Sequence, residues 1–268
     1  MTLVIVIVSW NGRMDLERCL ASLADSPPSI AHSIVVVDNA SEDGSPEMVA
    51  ARFPGVRLIR SDENLGFARG NNLALREAEG DLLLLLNPDT IVPAGAIDRL
   101  VARLMAHPDA AAGGPRIVDG EGEPELSFGR MPTPMVEAGR KLLSRLHAAE
   151  IQPFRAFVRR ATARERTVDW VTGACLLVRR EPAEAVGFLD ERYRLYWEDV
   201  DFCAALRAKG WTILFTPASQ VLHLRGRSAA AAPTAANEWY RAAQLAFYAK
   251  HHPQWLPLVR WYNRLRYH

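Results

Sequence analysis

The sequence predicts an α/β protein built on a mostly parallel sheet with helices on both faces. Residues 81–90 (DLLLLLNPDT) hold five consecutive leucines between Gly80 and Pro88, the pattern of a strand buried on both sides. Strand-like and helical periods alternate through residues 1–115, which implies βαβ units with right-handed crossovers. Two acids, Asp38 and Asp89, follow the second and fourth strand-like runs. The carboxyl ends of such strands are where ligands bind in open α/β sheets.

The elements follow in order. Residues 3–8 are a continuous β-branched run that ends in the turn Ser9-Trp10-Asn11-Gly12. Leu16, Cys19, Leu20 and Leu23 then share one helix face. Residues 34–37 give a second strand stopping at Asp38-Asn39, and Ser45-Pro46 reads as an N-cap and first turn for a helix over 47–52. A third strand at 56–59 and a helix over 73–78 lead to the leucine strand. Ile97, Leu100, Val101 and Leu104 restore the helical period until Pro108. Residues 119–134 turn to Gly, Pro and Glu, a loop between two halves.

Beyond it, 135–149 reads as a helix and 168–178 as a strand, with Gly173-Ala174 marking a bulge or the close approach of a ligand. A short helix over 181–186, a helix opened by Glu198-Asp199-Val200-Asp201 and a strand over 211–215 come next. His223 follows that strand, and Asn237 reads as the cap of a last helix through His251.

Composition narrows the function. The chain has 268 residues, 49% hydrophobic and 24% charged, with net charge +1. That balance gives no reason to expect nucleic acid. Cys19, Cys175 and Cys203 are odd in number and far apart, so they read as core residues of a reducing compartment. Met1 leads directly into LVIVIV without a basic leader, and no apolar run approaches a membrane span, so the expected location is cytoplasmic. Residues 140–166 concentrate Arg140, Lys141, Arg145, Arg155, Arg159, Arg160, Arg164 and Arg166. This patch reads either as a solvated face or as a contact for phosphate groups or an anionic membrane surface. The turn at 9–12 lacks the GxGxxG of dinucleotide folds, which removes the main signature of hydride transfer.

Clustered carboxylates need a cation or protons to compensate them. Asp89 with the imidazole of His223 suits a divalent ion such as Mg or Mn, which also takes phosphate oxygens from a substrate. Glu198, Asp199 and Asp201 also suit a simple complement to the helix macrodipole. Trp170, Tyr196 and Trp197 suit stacking on sugar faces or plain core packing.

Six segments taken in order, VSWNG (8–12), VVVDNASEDGS (35–45), ENLGFARGNN (63–72), LLLLNPDT (83–90), TGACLLVRR (172–180) and YWEDVDFCAALRAKGW (196–211), resemble family 2 glycosyltransferases of the rhamnosyltransferase-like branch. The resemblance spans about residues 3–228. It implies a GT-A fold over 1–228, with a nucleotide-sugar half (1–115), an acceptor and catalytic half (116–228) and a helical extension (229–268). It implies single-displacement, inverting transfer from a nucleotide-sugar, dTDP-rhamnose or a UDP-sugar, to a saccharide or lipid-linked saccharide of the cell surface.

On the same ground Asp199 is expected as general base with Glu198 as the runner-up. Asp38 is expected at the nucleotide base, Ser9, Asn11, Asn64, Gly66 and Asn71 or Asn72 around the nucleotide, and Asn87 with Asp89 at the diphosphate. Asp89 and His223 are the expected metal ligands, and Trp170, Gly173, Ala174, Trp197 and Asp201 the acceptor side. The chain departs from the family's Asp-x-Asp by having Asn87, which leaves one carboxylate there. The membrane-surface elements would be 140–166 and the aromatic, basic tail at 255–267, at the inner face of the plasma membrane. A sugar nucleotidyltransferase would require a Gly-rich phosphate loop after the first strand, which is missing, and Asp199 with His223 weighs against an inactive scaffold. The residues assign no oligomeric state.

Overall fold

The computed structural model describes residues 1–149, 151–224 and 233–267. Its first part is β1 (Leu3–Ser9), α1 (Arg13–Asp25), β2 (His32–Asp38), α2 (Ser45–Arg52), β3 (Arg57–Arg60), α3 (Gly66–Glu77), β4 (Leu82–Leu86), β5 (Thr90–Ile91) and α4 (Ala96–Met105). There follow β6 (Ala110–Val118), β7 (Phe128–Gly129), α5 (Pro134–Ala148), α6 (Gln152–Ala161), β8 (Arg166–Val168), β9 (Trp170–Val171), β10 (Cys175–Arg179) and α7 (Arg180–Ala185). The last elements are α8 (Glu198–Ala208), β11 (Thr212–His223), α9 (Pro233–His251) and α10 (Leu256–Tyr267).

The main sheet has the order β3-β2-β1-β4-β10-β6-β11-β5, with β8 beside β11. Strands β1 to β4 are mutually parallel, as the βαβ reading requires. Strand β10 is inserted antiparallel between β4 and β6, and β11 runs parallel to β6. The leucine run sits at the centre. Leu83 and Leu85 face one core layer with α3, α8 and α9, while Leu82, Leu84 and Leu86 face the other with α1, α2 and α4. Each fully buried leucine contributes about 2 kcal/mol of transfer free energy. A strand alternating its side chains between two dry layers leaves only its carboxyl end for polar residues.

Several elements differ from expectation for identifiable reasons. Strand β6 (AAAGGPRIV) has poor strand formers, yet it is fixed between β10 and β11. Its small residues admit a close neighbour, since a Cβ on Gly114 would lie 2.7 Å from that of Val171. Helix α3 starts at Gly66, well before residue 73, because Gly66 at φ 78 makes the entering turn. Ser45 opens α2 rather than capping it. The cap is Gly44 at φ 79, and Ser45 Oγ donates to Asp43 Oδ1 at 2.5 Å.

The expected strand at 168–178 is three pieces, broken at Asp169 and at 172–174. Strand β11 continues to His223 through a register shift between Thr216 and Gln220 that accommodates Pro217, so the histidine ends a strand instead of following one. Asn237 lies inside α9, four residues past its start, and caps nothing. The three cysteines are buried and form no disulfide.

Candidate active site

The carboxyl ends of β1, β4 and β9, the turn before β10, the start of α8 and the inner faces of α5 and α6 surround one cavity of about 1470 Å³. On the β4 side, Asn87 N–H donates to the Ala174 carbonyl (2.9 Å) and Leu224 N–H donates to the Asp89 carbonyl (2.8 Å). The first bond ties the end of β4 to the turn before β10, and the second ties Asp89 to the end of β11. His223 Nε2 consequently lies 3.1 Å from Asp89 Oδ1 and 3.3 Å from Asn87 Nδ2. In this arrangement one ring nitrogen cannot both donate to the carboxylate and accept from the amide NH2, so the two contacts compete. A divalent cation between the carboxylate oxygen and the imidazole nitrogen would satisfy both lone pairs, and the donor set fits Mg or Mn. Among the described residues no group of three His, Cys, Asp or Glu converges, so any further ligands would be substrate or water.

On the α8 side the chain makes an unusual entry. Tyr196 and Trp197 both have positive φ, 71 and 69, a left-handed conformation costing about 1–3 kcal/mol for each bulky residue. Packing offsets it, since Trp197 lies against Phe247 with ring centroids 5.0 Å apart and against Tyr240 and Tyr248. The turn places Glu198 and Asp199 at the helix start on the cavity wall. Asp199 is oriented by two backbone donors, Gly173 N–H to Oδ2 (2.9 Å) and Val200 N–H to Oδ1 (2.8 Å). Gly173 lies close to this wall, and an added Cβ would meet Phe67 at 3.4 Å and the Asp199 Cβ at 3.5 Å, ordinary contact distances.

Burial raises the Asp199 pKa above the carboxylate range despite those donors and the nearby Arg140 guanidinium. Burial outweighs the helix N-terminus, which by itself would favour the ionised form. Burial, and then the Asp199 charge, push Glu198 well above its ordinary value, and its Oε2 has no hydrogen-bond partner among the described residues. The two titrate as a pair. Because Glu198 is raised on folding, its contribution to stability is present below its unfolded pKa and is lost as pH rises through the folded one. Glu198→Gln cannot ionise. It is therefore expected to match the parent's melting temperature near pH 4 and exceed it increasingly toward pH 8. Parallel melting curves across that range would refute the assignment.

Of the residues expected around a nucleotide, Ser9, Asn64 and Gly66 line the cavity, and the Ser9 Oγ is buried without a partner among the described residues. Asn64 Oδ1 accepts from Gly66 N–H (2.9 Å), which shapes the start of α3. Asn39, which no pattern singled out, also lines it. Its Nδ2 donates to the Gly66 carbonyl (3.0 Å), while its Oδ1 is unpartnered among the described residues. Arg194 is a second omission. Its carbonyl accepts from Phe67 N–H (2.8 Å) and its guanidinium donates to the Asn64 carbonyl (3.1 Å), so it braces this loop.

Four expected ligands of the cavity are placed in its framework instead. Asn11 Oδ1 accepts from Glu42 N–H (2.8 Å), tying the loops after β1 and β2 together. Asp38 is 3% exposed and accepts from Ser41 N–H (3.0 Å), with Oδ1 unpartnered among the described residues. Asn71 donates to the Phe67 carbonyl (2.9 Å) within its own helix. Asn72 bonds both the carbonyl and the N–H of Leu189 (2.8 and 3.1 Å), clamping α3 to the segment before α8.

Of the residues expected on an acceptor side, Trp170, Gly173, Ala174 and Trp197 line the cavity. Asp201 does not face acceptor space. It accepts from Tyr193 Oη (3.1 Å) and Lys250 Nζ (2.8 Å) and lies 2.6 Å from His251 Nε2, so it fastens α8 to α9. Removing one member of a buried ion pair costs about 3–5 kcal/mol. Asp201→Ala is expected to lose about 2–3 kcal/mol, the partial exposure of Lys250 reducing the effect. Chemical denaturation measures it, and a loss under about 0.5 kcal/mol would refute the brace.

The basic stretch divides. Arg140, Lys141, Arg145 and Arg166 line the cavity, with the Arg140 guanidinium 4.2 Å over the Trp170 ring. Arg159 instead pairs with Glu123. His223 opens a His-x-x-Gly-x-Ser sequence whose Gly226 and Ser228 lie outside the described residues.

Similar architectures are found among solved GT-A glycosyltransferases. A mannosyltransferase from Pyrobaculum calidifontis, solved with GDP-Man and Mn2+, superposes with a TM-score of 0.63 at 18% identity, over 96% of this chain and 68% of its own. GalNAc-T7, solved with UDP, GalNAc and Mn2+, gives 0.63 at 19% identity over 84% of this chain and 44% of its own. These likenesses establish the fold class. The chain belongs to glycosyl transferase family 2, whose model matches residues 4–187, and it is a glycosyltransferase. Across 94% of its length it is 33% identical to an N-acetylglucosaminyl-diphospho-decaprenol L-rhamnosyltransferase of Mycobacterium tuberculosis, covering 85% of that protein. It is also 28% identical to the O-antigen biosynthesis protein RfbC of Myxococcus xanthus, over 81% of this chain and 17% of that one.

Proposed function

We propose that the chain transfers L-rhamnose from dTDP-L-rhamnose, with inversion, to a hydroxyl of a diphospholipid-linked saccharide destined for the cell surface. One observation carries the transfer reading: Asp199, oriented by two backbone N–H groups, shares a cavity with the Asp89–His223 pair. The Mycobacterium tuberculosis relative favours the sugar and the acceptor, since the similarity extends through α8 and most of the chain. The lipid of such an acceptor puts the reaction at the inner face of the plasma membrane. None of the described helices is long and apolar enough to cross it.

In this reading the nucleotide lies against Ser9, Asn39, Asn64 and Gly66, within a loop framework that Asp38 and Asn11 hold. Asp89 and His223 would hold Mg or Mn, with Asn87 beside them, and a bound ion supplies charge neutralisation at the diphosphate. Asp199 takes the acceptor hydroxyl proton as that oxygen attacks the anomeric carbon opposite the diphosphate. The C–O bond to the diphosphate breaks, its electron pair leaves on the phosphate oxygen, and one displacement inverts the centre. The raised pKa of Asp199 makes it a stronger proton acceptor than an ordinary carboxylate. Glu198 keeps its proton in this reading and can donate a hydrogen bond to the acceptor. Trp170 and Trp197 wall the acceptor sugar, and Arg140, Lys141, Arg145 and Arg166 face its phosphates.

Titration calorimetry with dTDP, UDP, dTDP-rhamnose and UDP-sugars, with and without Mn, tests the donor. Metal-dependent preference for dTDP-rhamnose is expected. Preference for UDP-sugars would overturn the donor and leave the transfer chemistry standing.

A further inference from the structure

Helix α10 presents an apolar stripe to the outside. Leu258, Trp261, Tyr262 and Leu265, at i, i+3, i+4 and i+7, are 43%, 60%, 42% and 65% exposed. The opposite side is anchored. Val259 is 5% exposed in the core, and Asn263 Nδ2 donates to Gln244 Oε1 of α9 (3.0 Å). Gln244 in turn donates to Glu137 of α5 (2.7 Å), and Glu137 lines the cavity. The exposed stripe is therefore held in fixed relation to the active site and is not a fraying end.

The charge around the stripe selects its occupant. Arg264 is exposed on the flank of the stripe next to Trp261, Arg260 is exposed farther round the same side of the helix, and residues 252–267 contain no Asp or Glu. A second copy of this chain packed on the same face would bring its own arginines against these, with no carboxylate on the helix to answer them. An anionic lipid surface answers both features. Leucine enters the acyl boundary, tryptophan and tyrosine sit at headgroup level, and arginines meet phosphate.

We propose that α10 is an in-plane docking helix for the anionic face of a lipid bilayer. This deepens the reading of a lipid-linked acceptor by naming the element that keeps the cavity at the surface where such an acceptor resides. The docking itself needs neither donor nor acceptor, so it is tested apart from catalysis.

The test is flotation of the full-length protein with phosphatidylcholine vesicles, with and without about one-third phosphatidylglycerol. Binding is expected to the anionic vesicles only and to weaken with salt. The double variant Trp261→Ser/Leu265→Ser is expected to partition about tenfold to a hundredfold less. Arg260→Gln/Arg264→Gln should bind less and lose most of the salt dependence. All four side chains are exposed, so melting temperatures and transfer to a short, water-soluble acceptor analogue should remain those of the parent. No binding to anionic vesicles, or unchanged binding by the Trp261/Leu265 variant, would overturn the proposal. So would a dimer in light scattering that this variant dissociates, since the stripe would then be a subunit interface. Failure of transfer with intact flotation would instead count against the catalytic reading alone.

Discussion

Asp199→Asn is expected to lower kcat by about 10²–10⁴-fold while leaving the affinity for the nucleotide-sugar nearly unchanged. The argument rests on what the amide keeps and loses. Its oxygen can still accept from Gly173 N–H, while its NH2 replaces the oxygen that accepts from Val200 N–H, so one of the two orienting bonds is kept. It cannot take a proton at any accessible pH, and a sugar hydroxyl without a base is a poor nucleophile. The proposed donor contacts, Ser9, Asn39 and Gly66 of the same cavity, are not altered by this substitution. The parent should also show a kcat that rises with pH along an acid limb above the ordinary carboxylate range, because burial raises Asp199 and the base works only when ionised. Glu198→Gln removes the neighbouring carboxyl group and should move that limb without abolishing turnover. Normal turnover by Asp199→Asn would remove Asp199 as base. Full loss in Glu198→Gln with activity retained in Asp199→Asn would exchange their roles.

What the sequence revealed and concealed follows from the range of the interactions concerned. The β4 strand was legible because its five leucines are buried for a local reason, alternation between two core layers. The glycosyltransferase family was legible because its motifs sit at the carboxyl ends of strands, where the fold exposes them in order. Strand β6 was not, since alanine and glycine there answer to Val171 and Leu214, neither of which is near in sequence. Asp201 illustrates the same limit at the site. In the sequence it is a third acid in a first helical turn, equal in kind to Asp199. Its partners Lys250 and His251 arrive from 49 and 50 residues away and make it a fastening for α9. Asn72 is placed likewise by Leu189, 117 residues on. By contrast Asp89 and His223, 134 residues apart and expected together, do meet at 3.1 Å, because Asp89 precedes β5, whose Thr90 pairs with His223 at the end of β11.

Asp89→Ala is expected to weaken Mn-dependent binding of the nucleoside diphosphate by about 10–100-fold, with little change in binding measured without metal. Asp89 supplies the only carboxylate at the end of β4, since position 87 is an asparagine. His223 alone would offer the ion a single neutral nitrogen, too little to compete with water for a hard cation. His223→Ala should have a smaller effect of the same kind, because the charged ligand remains. Asn87→Asp is the converse experiment. It places a second negative oxygen beside His223 Nε2, where the present amide nitrogen lies 3.3 Å away, and should tighten Mn affinity at least tenfold. The same change should weaken nucleotide binding in the absence of metal, because two carboxylates would then face the diphosphate with nothing between them. Calorimetry of all three variants with dTDP, with and without Mn, separates these effects. If the parent and Asp89→Ala bind dTDP equally well in both conditions, Asp89 holds no metal. The charge on the leaving diphosphate would then have to be met by the Arg140, Lys141, Arg145 and Arg166 wall, and salt rather than chelator would be the condition that weakens binding.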